Sequence, residues 1–332
     1  MDYSASLLYL VAFCWGAIWG SFLNVCIYRM PAGRSIIRPA SHCPACSEPL
    51  KAWHNIPILG WVLLGGRCGF CRAGIAARYP LVESLMGVLS VALLADSLSR
   101  AEATFLSDAG ALAGIDPGPG LGVVLFPFLY HFVFVAGLVV ITFIDLDHLE
   151  IPNEVTLPGV LIGFGGSLVL YPYSGAGVVW WSSLLGALVG GGFLLALIGG
   201  YALLTGREGM GLGDFKLMAM VGAFLGIQAL PLVLFASAAQ GLLYAVLLLL
   251  TGRGDAHRDQ LLEIEAREAE AAGAGDEHCH EEGPAEPAAE SESALSRLRS
   301  MPIPFGPFIA LAAIQWLFVG DRVSLWLAGL FG

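Results

Sequence analysis

LGVVLFPFLYHFVFVAGLVVITFIDLDH, residues 121–148, is the stretch that sets the class of this protein. Its first 24 residues, 121–144, contain no Asp, Glu, Lys or Arg. A run of roughly 20 apolar residues is what crosses the hydrocarbon core of a bilayer as a helix. The run then ends abruptly on Asp145, Asp147 and His148. Ionisable groups at the edge of a span are costly to place, and so point to function.

Reading outward, similar apolar runs fall at 5–27, 79–98, 155–171, 178–204 and 304–330. The stretch 215–250 is long enough for two spans, with Pro231 near the break. The expectation is an all-α polytopic membrane protein of about eight transmembrane helices. Composition agrees: of 332 residues, 57% are hydrophobic and only 13% charged, and mean hydropathy is +0.75. A soluble domain carries nearer ~25% charge. Seven cysteines are too few at this length for a disulfide scaffold. Gly and Pro are frequent (43 and 18), as in membrane helices that pack closely.

The net charge of −11 has a local source, since 251–300 holds 13 acids against five arginines. Positive charge orients the spans. Segments 29–78, 206–216 and 251–301 hold seven, two and five Lys/Arg, or 14 of the 16 in the chain. With eight spans all three lie on one side, which places them in the cytoplasm and both termini outside. Residues 1–6 carry no basic residue, so the first span is expected to be retained and not a cleaved leader. The organisation expected is a first helix at 1–28, a cytoplasmic domain at 29–78, a membrane core at 79–250, an acidic loop at 251–303 and a last helix at 304–332.

The cytoplasmic domain contains two C-x2-C pairs, Cys43/Cys46 and Cys68/Cys71, separated by 21 residues. Four thiolates so spaced predict a closed tetrahedral zinc site. Some 50 residues with few apolar positions cannot build a core alone, so the expected role of the metal is structural. Cys14 and Cys26 read as packing residues of the first span. A second site at His278-Cys279-His280 is not expected.

The other ionisable cluster lies in Gly209-Met210-Gly211-Leu212-Gly213-Asp214-Phe215-Lys216. By the topology above, Asp145 and Asp214 sit at the same membrane face, although 69 positions separate them. Two carboxylates in a partly desolvated site do not both ionise easily. Such a pair can activate water as base while protonating a carbonyl as acid. The residues alone leave three readings open: an aspartyl peptidase, aspartates that merely cap helices, or an ion-coupled transporter using the same two groups. Polar residues through the mid-membrane, which a transporter needs, are scarce. His131 is a lone histidine with no nucleophile beside it.

Several stretches in order resemble the type IV prepilin peptidases, the leader peptidases of type IV pili and type II secretion systems. They are Gly20-Ser21-Phe22-Leu23-Asn24-Val25-Cys26-Ile27-Tyr28-Arg29-Met30-Pro31, the two C-x2-C pairs, and Ala77-Arg78-Tyr79-Pro80-Leu81-Val82-Glu83. Ile144-Asp145-Leu146-Asp147 with Ile151-Pro152-Asn153, and Gly211-Leu212-Gly213-Asp214, complete the set, and Pro304–Pro307 is similar to the start of the family's last span. The resemblance implies a bacterial inner-membrane enzyme. It would cleave the basic leader of prepilins and pseudopilins, then N-methylate the new terminus with S-adenosylmethionine as methyl donor. The aspartates it transfers are Asp145 and Asp214, with Asp147 a rival to the first. The partners expected are prepilin-like substrates and membrane lipid, with no nucleic acid. For methyl transfer the sequence offers no soluble methyltransferase fold and only a loose pointer to the cytoplasmic domain around Glu83; Gly190-Gly191-Gly192 reads as helix packing. The acidic loop, expected to be largely disordered with a charged helix at 258–271, departs from the family pattern and is either a solvated insertion or an attractor of basic leaders.

Overall fold

In a computed structural model, residues 3–109, 121–174, 178–205, 213–251 and 304–331 are described. The acidic loop beyond Thr251, the 258–271 helix, the Cys279 cluster and Gly209–Leu212 lie outside them. The described chain is helical, with two isolated bridges and no named strand. The helices are α1 (Tyr3–Arg29), α2 (Leu59–Leu63), α3 (Arg78–Ala109), α4 (Leu121–His148) and α5 (Asn153–Ser174). They continue with α6 (Trp180–Thr205), α7 (Asp214–Leu225), α8 (Leu230–Leu250) and α9 (Gly306–Phe331).

Among the described residues, six helices, α1, α3, α4, α5, α6 and α8, are long and apolar enough to cross a membrane. The other two regions read as spans are α7 and α9. α7 has only 12 residues, about 18 Å at helical rise, whereas α9 has 26. The break expected near Pro231 falls a few residues earlier, where Gly226 adopts φ +79° and ends α7. Only glycine takes that conformation without strain. Pro231 then sits in the first turn of α8, where its missing N–H costs nothing.

α4 is the innermost of the six. In its apolar window 61% of residues are buried inside the protein, against 18% for α6 and 22% for α8, whose remaining apolar surface suits lipid. α7 is held by α6 and α5 and reaches α4 through side chains; on the α5 side Gly159 faces Met220 and Gly163 faces Ala223 and Phe224. Against α6, Gly186 and Gly222 let the backbones touch: a Cβ on Gly222 would come 2.1 Å from the Gly186 carbonyl oxygen. The Ser183 hydroxyl donates to the Ala223 carbonyl at 2.6 Å. Gly190 and Gly191 pack against Met218 and Ala219 in the same seam, as small residues do between membrane helices.

Against α4, α7 runs antiparallel. Phe134 stacks on Phe224 at 4.5 Å between centroids, and Gly137 faces Met220 three residues further along. From the Phe134–Phe224 contact, Asp145 is 11 residues toward the end of α4 and Asp214 is 10 toward the start of α7. At about 1.5 Å per residue both aspartates are carried to the same level. α1 and α3 are likewise antiparallel, with Gly16 against Met86, Gly20 against Glu83, and Asn24 donating to the Tyr79 carbonyl at 3.1 Å.

Candidate active site and metal centre

Asp145 lies at the C-terminal end of α4 on its buried stripe, following Phe134, Leu138 and Ile141 at helical spacing. It is 5% exposed, and Asp214 is 7% exposed. Helix C-termini disfavour a carboxylate, so its burial needs another source of positive potential. That source is the start of α9. The Gly306 N–H, one of the orphan donors of a first turn, donates to Asp145 Oδ2 at 3.0 Å. The approach leaves no room for a side chain, because a Cβ on Gly306 would stand 2.6 Å from that oxygen.

Asp214 occupies the first turn of α7, where the helix dipole favours negative charge. The N-cap is Gly213, and no side-chain cap bond is made there, so Asp214 does not have the capping role that competed for it. The two carboxylates lie within electrostatic reach of each other. The link between α4 and α5 seals this end. Ile151 packs on Gly213, where a Cβ would meet it at 2.7 Å, and Lys216 Nζ donates to Asn153 Oδ1 at 2.6 Å.

Asp147 faces elsewhere. Two residues along a helix turn the side chain by about 200°, and Asp147 forms an ion pair with Arg78 at the start of α3. The Arg78 guanidinium also donates to the Phe143 carbonyl at 3.2 Å and covers the Phe143 ring at 4.9 Å. The structure therefore brings Asp145 and Asp214 together and turns Asp147 outward. Gly306 and Arg78 are the residues whose parts sequence reasoning did not see. Both stood inside quoted motifs, and neither spacing nor composition marks a backbone donor or the partner of a distant acid.

The four cysteines converge. The sulfurs of Cys43, Cys46, Cys68 and Cys71 all lie within 4.8 Å of one another, and Cys43 Sγ is 3.8 Å from Cys71 Sγ. A tetrahedron with Zn–S bonds of ~2.3 Å has edges of ~3.8 Å, so the donor set fits zinc. The knuckles share one backbone design. Ser47 N–H donates to the Cys43 carbonyl at 2.8 Å, and Arg72 N–H to the Cys68 carbonyl at 3.1 Å. Ser47 and Arg72 both take left-handed backbone, with φ 58° and 60°. The N–H groups of Cys71 and Phe70 draw the Cys68 thiol down to about 6. At Cys46 the Glu48 N–H favours the thiolate but is outweighed by desolvation and by the Cys71 and Cys43 sulfurs, which push it up to about 12. Crowded thiols resist successive deprotonation, and a divalent cation removes that conflict.

Comparison with known proteins gives the family. Residues 14–97 match the bacterial peptidase A24 N-terminal domain, and residues 132–246 match the type IV leader peptidase family. A prepilin leader peptidase/N-methyltransferase of Aeromonas salmonicida is 33% identical over 345 residues, covering 96% of this chain and 94% of its own. One of the same name from Myxococcus xanthus is 33% identical, with 97% and 93% covered. A third, from Neisseria gonorrhoeae, is 34% identical over 70% of this chain and 79% of its own. No solved structure matches. The chain belongs to the type IV leader peptidase family.

Proposed function

We propose that this protein is a membrane-embedded aspartyl peptidase that removes the basic leader from type IV prepilins and pseudopilins at the cytoplasmic membrane face, then N-methylates the new terminus. The observation that carries the peptidase reading is the meeting of Asp145 and Asp214, buried and level at the ends of two antiparallel helices. Asp145 and Asp214 share a proton. The ionised partner takes a proton from water as it attacks the scissile carbonyl, and the protonated partner donates to the carbonyl oxygen. No covalent intermediate is needed. Gly306 N–H holds the Asp145 carboxylate in place. The Arg78–Asp147 pair fixes the end of α4 to the start of α3.

Cys43, Cys46, Cys68 and Cys71 would hold zinc, and the metal would supply cross-linking of the 29–78 domain. The methyl group would come from S-adenosylmethionine. The enzyme is assigned to the bacterial inner membrane with both termini periplasmic, in keeping with the basic residues of the segments assigned to the cytoplasm. Division at 28, 78, 250 and 303 separates its working parts. The transporter reading has no support in the fold or among the relatives.

The test is cleavage of a prepilin-type peptide, with basic leader, glycine and apolar helix, by purified protein and its Asp145→Asn and Asp214→Asn variants. Cleavage by the parent and by neither variant is expected. Activity retained in Asp145→Asn would move the role to Asp147. An inactive parent with a well-presented substrate would overturn the reading.

A further inference from the structure

We infer that α2 and the turn leading into it, residues 56–63, form an anchor that inserts into the interface of an anionic cytoplasmic leaflet and holds the 29–78 domain against the bilayer. The inference rests on the membrane reading of the spans and on the assignment of 29–78 to the cytoplasm. It needs nothing from the peptidase or methyl-transfer chemistry.

The depth of α2 follows from its attachment. The Arg78–Asp147 ion pair joins the start of α3 to the end of α4, both of them apolar helices of spanning length. Ile58 is tied to α3 further in, where its N–H donates to Glu83 Oε2 at 2.7 Å. Glu83 stands five residues along α3 from Arg78, about 7.5 Å at helical rise. α1 reaches the same point, with Gly20 against the Glu83 Cα. Ile58 takes φ +63°, a costly conformation for a β-branched residue, and the Glu83 bond holds it. α2 begins at the next residue, Leu59. It therefore starts beside two spans and inside their cytoplasmic ends. That is about the depth, ~5–10 Å, to which interfacial helices bury their apolar face.

α2 has one occupied side and one bare side. Gly60 packs on the His54 carbonyl, where a Cβ would stand 2.3 Å away, and Trp61 covers Gly66. The Trp61 indole N–H donates to the Ile75 carbonyl at 3.0 Å. Leu59, Val62 and Leu63 are instead 57%, 59% and 78% exposed, and Ile56 before them is 44% exposed. Contiguous apolar side chains left bare in this way mark an interaction surface.

Charge selects the occupant. Residues 49–82 contain no Asp or Glu and carry Lys51, Arg67, Arg72 and Arg78. Lys51, Arg67 and Arg72 are exposed. Lys51 Nζ lies 5.4 Å from the ring centroid of Trp53, itself exposed, and Trp is enriched at the headgroup level of membranes. An apolar face on a domain so charged suits a leaflet of anionic lipid, where each nearby Lys or Arg strengthens attachment about fivefold. The same charge repels a basic leader and a second copy of the face.

The experiment uses full-length protein in nanodiscs of phosphatidylcholine alone and of phosphatidylcholine mixed with phosphatidylglycerol. Leu63 is replaced by the photoreactive amino acid p-benzoylphenylalanine, and adducts formed under ultraviolet light are identified by mass spectrometry. Lipid adducts at position 63 are expected in both discs, with more in those containing phosphatidylglycerol. Trypsin cutting after Lys51 and Arg67 should be about tenfold slower in the phosphatidylglycerol discs. Leu63→Glu should remove that protection and Leu63→Met should keep it, each with the parent's helical content and thermal midpoint. Cross-linking of position 63 to a second copy, to an added prepilin-type peptide, or to nothing would overturn the anchor. Equal trypsin cutting in the two discs would overturn the anionic leaflet as its partner. Peptide cleavage is assayed on the same parent preparation. Cleavage without lipid adducts overturns the anchor and leaves the peptidase standing; adducts without cleavage leave the anchor standing and overturn the peptidase.

Discussion

The thiol cluster and the aspartate pair are both convergences of ionisable side chains, but they are assembled by different physics. The thiol site is nearly local. Two five-residue knuckles each set their own geometry through an i→i+4 backbone bond and one left-handed residue, and only 28 positions separate Cys43 from Cys71. The aspartate site is made wholly by packing. Asp145, Asp214 and Gly306 come from three helices spread over 161 positions, and their meeting depends on the register of α4 against α7. A local site survives distant perturbation and fails when one ligand is lost. A packed site is sensitive to anything that shifts a helix end by an ångström.

The sharpest way to break that contrast is to disable each site and measure the other. Asp214→Asn should lower cleavage on the order of 10³-fold, the usual scale for losing an acid–base group, while zinc stays at one per chain by elemental analysis. Cys43→Ser should lose the metal, lower protein level and loosen residues 29–78 to proteolysis, because that segment has little core of its own. Its remaining membrane-extracted protein should still cleave. Full loss of cleavage in a well-folded Cys43→Ser protein would show that the two sites are one machine, and would end the structural assignment of the metal.

Gly306→Ala sharpens the comparison from the packing side. The added methyl meets Asp145 Oδ2 at 2.6 Å and its Cγ at 3.2 Å, so the carboxyl group would be pushed off the Gly306 N–H. The carboxylate or the start of α9 must move by several tenths of an ångström. Displacement of reacting groups by about 1 Å costs ~10²-fold, so a smaller fall in kcat, about tenfold, is expected with the thiol cluster's metal retained. Activity within threefold of the parent would mean that Asp145 is not held by α9 in the working enzyme.

These differences also explain what could be read in advance. The cysteine pairs announce their chemistry by spacing alone, and the long apolar runs announce the spans. The choice between Asp145 and Asp147 was hidden for a specific reason. Amphipathic helices reveal their buried face by contrast, but α4 is apolar on every side through residue 144, so the sequence carries no phase. Only the packing of Phe134, Gly137 and Ile141 shows that Asp145 continues the inner stripe. The double span at 215–250 was legible as length, whereas its first half, the 12-residue α7, was not. Glycines that permit a turn and glycines that permit close contact look alike in a sequence. Gly306 was unreadable for the same reason, since its contribution is a backbone N–H and an absent Cβ.

The smallest effect expected tests whether the Arg78–Asp147 pair belongs to the packed site or merely borders it. The two side chains are 31% and 38% exposed, and ion pairs in that setting contribute ~0–1 kcal/mol. Asp147→Asn should therefore retain cleavage within a few-fold, in contrast to Asp145→Asn. Arg78→Met should cost somewhat more, because it also removes a donor to the Phe143 carbonyl and a cation from the Phe143 ring. A double-mutant cycle on thermal stability and on kcat isolates the pair itself. Coupling below about 1 kcal/mol in both places it at the border. Strong coupling in kcat with weak coupling in stability would mean that Arg78 transmits the position of α3, and with it residues 29–78, to the aspartates.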